Sequence, residues 1–162
     1  MKTYFLPTIA LFLCSAAGAG NDDLKSLRAD VARIERELPA LTARSHDIMG
    51  QSAEGGEARG WFRGKTLVKI GSTFGGESGR ASRTYWLRNG NPITLLVRRE
   101  NYDKPLSGRV KSRDDEQFYF GRARVVGHFH NSKSAPLSAK ANSQALRHAR
   151  EEIAQLRRMI ER

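Results

Sequence analysis

The sequence predicts an α+β fold, an antiparallel β-meander sheet flanked by N- and C-terminal amphipathic helices. Three observations predict it. Apolar residues recur at helical spacing in two stretches, 22–49 and 138–162. Between them lie alternating segments joined by short turns that carry glycine and asparagine. The chain beyond its first 19 residues is 143 residues long, enough for one ordinary domain.

The first element is expected to be removed. An apolar run from Phe5 to Cys14 follows Met1-Lys2-Thr3-Tyr4. It is about half the length that a helix needs to cross a bilayer. Ala17-Gly18-Ala19 then supplies the small side chains that a signal peptidase accepts. Residues 1–19 therefore read as a signal peptide, with cleavage near Ala19 and a periplasmic or secreted destination. Lipidation at Cys14 is the competing processing event, but the bulky Leu13 and Phe12 precede it. Cleavage at Ala19 removes the only cysteine, so the exported chain has neither disulfide nor thiol chemistry. No later segment is apolar enough to make a stable membrane span.

Residues 20–50 are assigned to an N-terminal helix. Leu24, Leu27, Val31, Ile34, Leu38 and Leu41 draw one apolar stripe, with Asn21, Asp22 and Asp23 as its cap. Pro39 marks a kink or a break. Residues 138–162 form the C-terminal helix on Leu146, Ala149, Ile153, Leu156 and Ile160, with Glu151 and Glu152 among arginines on the outer face. These stripes could pair with each other, cover the sheet, or bind a second protein.

Residues 51–137 form the meander. The expected strands are 57–63, 66–72, 80–88, 92–100, 108–112, 116–120 and 122–130. Arg63-Gly64-Lys65 and Asn89-Gly90-Asn91 read as tight turns, and Gly121-Arg122 joins the last pair. Asp114-Asp115-Glu116 reads as a solvated acidic turn. Phe74-Gly75-Gly76-Glu77-Ser78-Gly79-Arg80 reads as a flexible hairpin loop, because a P-loop would need Gly-Lys-Ser/Thr opening a helix.

Strand alternation sorts the side chains. Tyr85 and Leu87 oppose Thr84 and Trp86. Ile93, Leu95, Val97 and Arg99 oppose Thr94, Leu96 and Arg98. Ala123, Val125 and Phe129 oppose Arg122, Arg124, Val126, His128 and His130. One face is apolar and the other mixed, as in a sheet with one covered side. The mixed face is the candidate binding surface. Trp86, Arg98, Tyr119, Arg122, Arg124, His128 and His130 are its candidate residues, able to stack a planar group or hold an anion. A solvated face with ordinary β-forming aromatics is the competing reading.

His128-Phe129-His130 puts two imidazoles on one face, but a metal site needs further ligands, so no metal and no cofactor is expected. No serine stands in a Gly-x-Ser-x-Gly elbow, and Glu57, Glu77 and Glu100 are too scattered for an acid/base pair. No catalytic residue is nominated.

The order Ser52-Ala53-Glu54-Gly55-Gly56-Glu57, Leu67-Val68-Lys69-Ile70, Phe74-Gly75-Gly76-Glu77-Ser78-Gly79, Tyr85-Trp86-Leu87-Arg88-Asn89-Gly90, Tyr102-Asp103-Lys104-Pro105-Leu106 and Phe118-Tyr119-Phe120-Gly121 resembles a loose group of uncharacterised bacterial exported proteins. Members combine a signal peptide, an N-terminal helix, an antiparallel β-meander and a C-terminal helix. The resemblance covers roughly residues 50–130 and implies that fold. It brings no catalytic residues with it. Arg122-Ala123-Arg124-Val125-Val126 is more basic than the group's pattern.

The formal net charge is +11. Residues 51–137 hold 16 basic and 8 acidic side chains, so the excess sits in the meander. The expectation is an exported, non-enzymatic protein-binding module, inhibitor-like or immunity-like, with an unknown protein partner in the envelope. The alternative is a basic envelope protein with an anionic ligand: lipopolysaccharide, acidic glycan or nucleic acid.

Overall fold

The computed structural model describes residues 19–50 and 54–161. Residues 1–18, which hold Cys14 and all of the expected signal segment except Ala19, lie outside the described residues. The element order is α1 (Ala19–Glu37), a short 3-10 turn (Leu38–Ala40), β1 (Thr42–Ile48), β2 (Gly56–Arg63), β3 (Thr66–Gly76), β4 (Gly79–Arg88), β5 (Asn91–Tyr102), β6 (Val110–Phe120), β7 (Val125–His130), β8 (Lys133–Ser134) and α2 (Ala139–Ile160). The eight strands form one sheet in sequence order, each pair antiparallel. The α+β meander with a helix at each end is therefore the fold. No helix among the described residues is long and apolar enough to cross a membrane.

Three expectations are corrected. The first helix does not reach residue 49. Pro39 sits in the 3-10 turn, and Thr42–Ile48 becomes an edge strand paired with Gly56–Phe62. Segments 108–112 and 116–120 belong to one strand, β6. Asp114 and Asp115 are not in a turn. They stand opposite Arg99 and Arg98 on β5, and opposite charges across a ladder keep the strand continuous. The glycine-rich hairpin has only Glu77 and Ser78 as its loop, between the end of β3 and the start of β4.

Both faces of the sheet are covered. On one face α2 buries Leu146, Ala149, Ile153, Leu156 and Ile160 against Phe62, Ile70, Tyr85, Leu95, Val97 and Phe120. On the other, α1 buries Leu27 and Ile34 against Val68, Trp86, Ile93 and Tyr119. Each helix closes on a glycine. A Cβ at Gly60 would strike Ile160 of α2, and one at Gly127 would meet Leu24 of α1 at 3.2 Å.

The second apolar face arises from a repeated bulge. Trp61 pairs with Lys69 and Phe62 with Leu67, leaving Val68 as the extra residue. Ile93 is extra between the Trp86–Thr94 and Leu87–Pro92 pairs, and Val126 between Tyr119–Gly127 and Phe120–Val125. All three extra residues pack on the α1 side. The three hairpins share one pattern. An aromatic residue and an apolar one are followed by four residues, then an apolar or proline residue and a branched one: Trp61-Phe62…Leu67-Val68, Trp86-Leu87…Pro92-Ile93, Tyr119-Phe120…Val125-Val126. Each bulge inserts an apolar side chain and adds local twist.

The bulge at Val126 corrects the face assignment of the last strand. Val125 lies on the α2 side, whereas Phe129 packs with Val126 on the α1 side. One inserted residue reverses every later parity.

Candidate functional site

The meander brings the β2–β3, β4–β5 and β6–β7 turns to one end of the sheet. Each tip is basic: Arg63 and Lys65, Arg88, then Arg122 and Arg124. Neighbouring hairpins stand about 10 Å apart, two strand spacings. Helix α1 lies along this row. Its Asp23, Asp30 and Glu37 recur every seven residues, a rise of about 10.5 Å, so the helix acids match the hairpin period. Glu37 pairs with Arg63, and Asp30 pairs with Arg88 at 3.0 Å.

The third tip is different. Asp23 lines the same cleft as Arg122 and Arg124 but pairs with neither. Among the described residues, Arg122, Arg124 and Arg150 have no carboxylate within ion-pair distance. Arg150 of α2 reaches the Arg122 carbonyl at 3.5 Å. These groups, with Arg88, rim an open cleft of about 840 Å³. Leu27, Pro92, Ile93, Phe120 and Val126 supply its apolar lining. Guanidinium groups with free donor edges, grouped around a concave surface, are suited to hold a phosphate or carboxylate.

The seven residues expected on one binding face fall in four places. Arg122 and Arg124 are at the cleft. Trp86 and Tyr119 are buried beneath α1, 7% and 6% exposed, so neither offers a ring to solvent. The Trp86 indole donates to Glu35 Oε1 at 2.6 Å, and Arg28 lies 5.4 Å from the Tyr119 ring centre. Arg98 is spent on a bidentate contact to Asp115, both bonds 2.8 Å. That contact raises the guanidinium's affinity for its proton and holds the Asp115 carboxyl below the ordinary range.

His128 and His130 lie on the α2 side. The His128 ring stacks on Phe118 at 4.5 Å and contacts Glu116 and the Ala135 carbonyl. His130 contacts Asp114. Each imidazole thus serves a local pairing, and among the described residues no three His, Cys, Asp or Glu side chains gather around a common point.

Elsewhere the α1-side face carries a charged ladder. Glu100, with its side chain 2% exposed, lies between Arg80 and Arg113. The hydrogen bond from Arg80 is the chief reason that its carboxyl sits below the usual range. Burial opposes the shift, and Arg113 adds to it. Both guanidinium groups of this cluster are engaged with the one Glu100 carboxylate.

Alternation within single strands gave no hint of Arg88 and Arg150. The signal for Arg88 is the repeated bulged hairpin, which puts Arg63, Arg88 and Arg122–Arg124 at equivalent tips. Arg150 has a weaker signal. It is the residue after Ala149, which is buried in the α2 stripe, and so stands at the edge of that stripe.

No protein family, curated protein or solved structure matches the chain.

Proposed function

We propose that the chain is a non-catalytic binding module that holds an anionic group in the cleft of Arg122, Arg124 and Arg150. Its setting would be the bacterial envelope, as a member of the exported group that the sequence resembles. The observation that carries the reading is the contrast among the three tips. The protein neutralises Arg63 and Arg88 with its own helix acids and leaves the third tip's cations unpaired around a concave surface. Clustered cations of one sign keep a standing attraction for an anion and accelerate its capture.

The test is calorimetric titration with glycerol 3-phosphate at low salt. The Arg122→Ala/Arg124→Ala variant is expected to lose at least about tenfold in affinity, the loss of one to two charge-assisted hydrogen bonds. A control variant, Lys104→Ala/Lys111→Ala, removes equal charge at the opposite end of the sheet and should stay within about twofold. Equal losses in the two variants would reduce the binding to bulk charge and remove the cleft from the account.

The protein-docking reading has one feature in its favour. Edge strand β1 is exposed over Thr42–Asp47 and pairs on one side with β2. Such an edge can accept an added strand. A partner seated there would slow hydrogen exchange of the β1 amides. Unchanged exchange in the presence of envelope proteins would count against this second reading.

A further inference from the structure

We infer that the ligand of the cleft is a compact amphiphilic anion, a phosphate- or carboxylate-bearing headgroup attached to an aliphatic chain. The inference rests on the anion-binding reading above and narrows its ligand. Three features of the site point the same way.

The first is extent. A long polyanion would be expected to follow the row of basic tips, but α1 already lies along that row. Glu37 occupies Arg63 and Asp30 occupies Arg88. Among the described residues of the row, Lys65 stands alone without a carboxylate at the first tip, and the one group of cations without carboxylates is Arg122 and Arg124 with Arg150, a space suited to one headgroup.

The second is volume. At about 840 Å³ the cleft lies in the range of small-molecule sites, far larger than one phosphate needs.

The third is lining. Beside the arginines the cleft is lined by Pro92, Ile93, Phe120 and Val126, with Leu27 from α1, and by the polar Ser26, Asn89 and Asn91. Ile93 and Val126 are there because of the bulges in β5 and β7, which turn an extra branched side chain to the α1 side. Apolar lining rewards hydrocarbon, and guanidinium groups reward a charged head.

The experiment compares three probes on the whole chain by calorimetry at one low salt concentration. They are glycerol 3-phosphate, a lysophosphatidic acid with a short acyl chain held below its micelle concentration, and linear polyphosphate. The acylated probe shares its head with the first. It is expected to bind at least about tenfold more tightly, from burial of a few methylene groups. Val126→Ser, a change at a half-buried position of the cleft wall, should erase most of that gain. Arg122→Ala/Arg124→Ala should weaken both phosphates.

Equal affinity for the two phosphates overturns the inference and leaves the anion reading intact. So does binding of polyphosphate in preference to the acylated probe. Binding of the acylated probe that ignores the arginine variant also overturns it, since a greasy surface would then suffice. Failure of all three probes to bind removes both the inference and the reading beneath it.

Discussion

Helix α2 buries Leu146, Ala149, Ile153, Leu156 and Ile160 in one large cluster, whereas α1 contributes Leu27 and Ile34 to a smaller one. The polar fastenings run the other way. Asp30, Glu35 and Glu37 of α1 pair with Arg88, Lys69 and Arg63, and Arg28 lies over the rings of Tyr119 and Phe129. Two consecutive residues of β4 make the contrast direct. Tyr85 donates to Glu152 of α2 at 2.7 Å, a bond shared with Arg83. Trp86 donates through the opposite face to Glu35 of α1 at 2.6 Å, a bond shared with Lys69. Both helices use the same device of a glutamate between an aromatic donor and a cation. Hydrophobic burial does most of the work for α2. For α1 a larger share falls to charge at the solvent boundary, which salt screens. Both helices border the arginine cleft, α1 through Asp23 and Leu27 and α2 through Arg150.

The largest expected effect separates the two clusters. Ile153→Ala should cost about 3–4 kcal/mol, because the packed α2 interface cannot collapse around the cavity. Ile34→Ala is equally buried but should cost about 2 kcal/mol, since α1 can shift over its smaller cluster. Urea unfolding of each variant measures the difference. Equal costs would erase the distinction between the faces.

Acid should then release the α1-side face first. The Glu100 carboxyl is depressed in the folded chain, chiefly by Arg80, so its stabilisation is complete above the unfolded value of about 4.3 and is lost as pH falls through the lower folded value. Asp115 behaves alike through Arg98. On the other face the Tyr85 hydroxyl is pushed far above its usual range by burial and by Glu152, and stays a neutral donor throughout. Tryptophan fluorescence, which reads Trp86 under α1 together with Trp61, whose ring shares Lys69 with it, should change below about pH 4 before far-UV dichroism of the whole sheet is lost. Simultaneous loss would show that the faces unfold as one unit.

The two glutamates give a smaller and sharper comparison. Glu152→Ala strands the Tyr85 hydroxyl, which is 1% exposed, and should cost about 2 kcal/mol at any salt concentration. Glu35→Ala should cost about 1 kcal/mol at low salt and less at about 1 M, since Glu35 is 41% exposed and its pair with Lys69 is screened. The salt dependence decides the matter: a Glu35 loss that persists at high salt would mean that α1 is held by the Trp86 bond rather than by charge.

How much of this was legible in the sequence depends on whether the signal was periodic. Helix α2 shows because its stripe is uninterrupted. Most strands show because their tips carry Gly or Asn. Strand β1 was hidden, since Leu38 and Leu41 continue the helical spacing of α1 and only Ile48 in the strand faces inward to the core. The binding face was misjudged because period-two alternation cannot register a bulge. Val126 alone moves Phe129 to the α1 side and sets His128 and His130 on the other. Arg122 and Arg124 were found for their charge, yet the reason they differ from Arg88 is an ion pair with Asp30, which only the docking of α1 supplies.

The smallest expected effect tests how tightly α1 is seated. Thr94 is 0% exposed, between Trp86 and Tyr119 in the row that α1 covers. Its Oγ1 has no hydrogen-bond partner, the one such buried side-chain atom among the described residues. A hydroxyl left unpaired in a dry interior costs free energy that a methyl does not, and valine keeps the branched shape that suits a strand. Thr94→Val should therefore stabilise the chain by about 1 kcal/mol, read as a higher urea midpoint at unchanged slope. The result bears on the helix as much as on the residue. If α1 lifts often enough for water to reach Thr94, its hydroxyl is satisfied part of the time and the substitution gains nothing. A full gain would mean that α1 closes its face nearly as firmly as α2 does, so that its ionic fastenings set the helix's position along the tips rather than its attachment to the sheet.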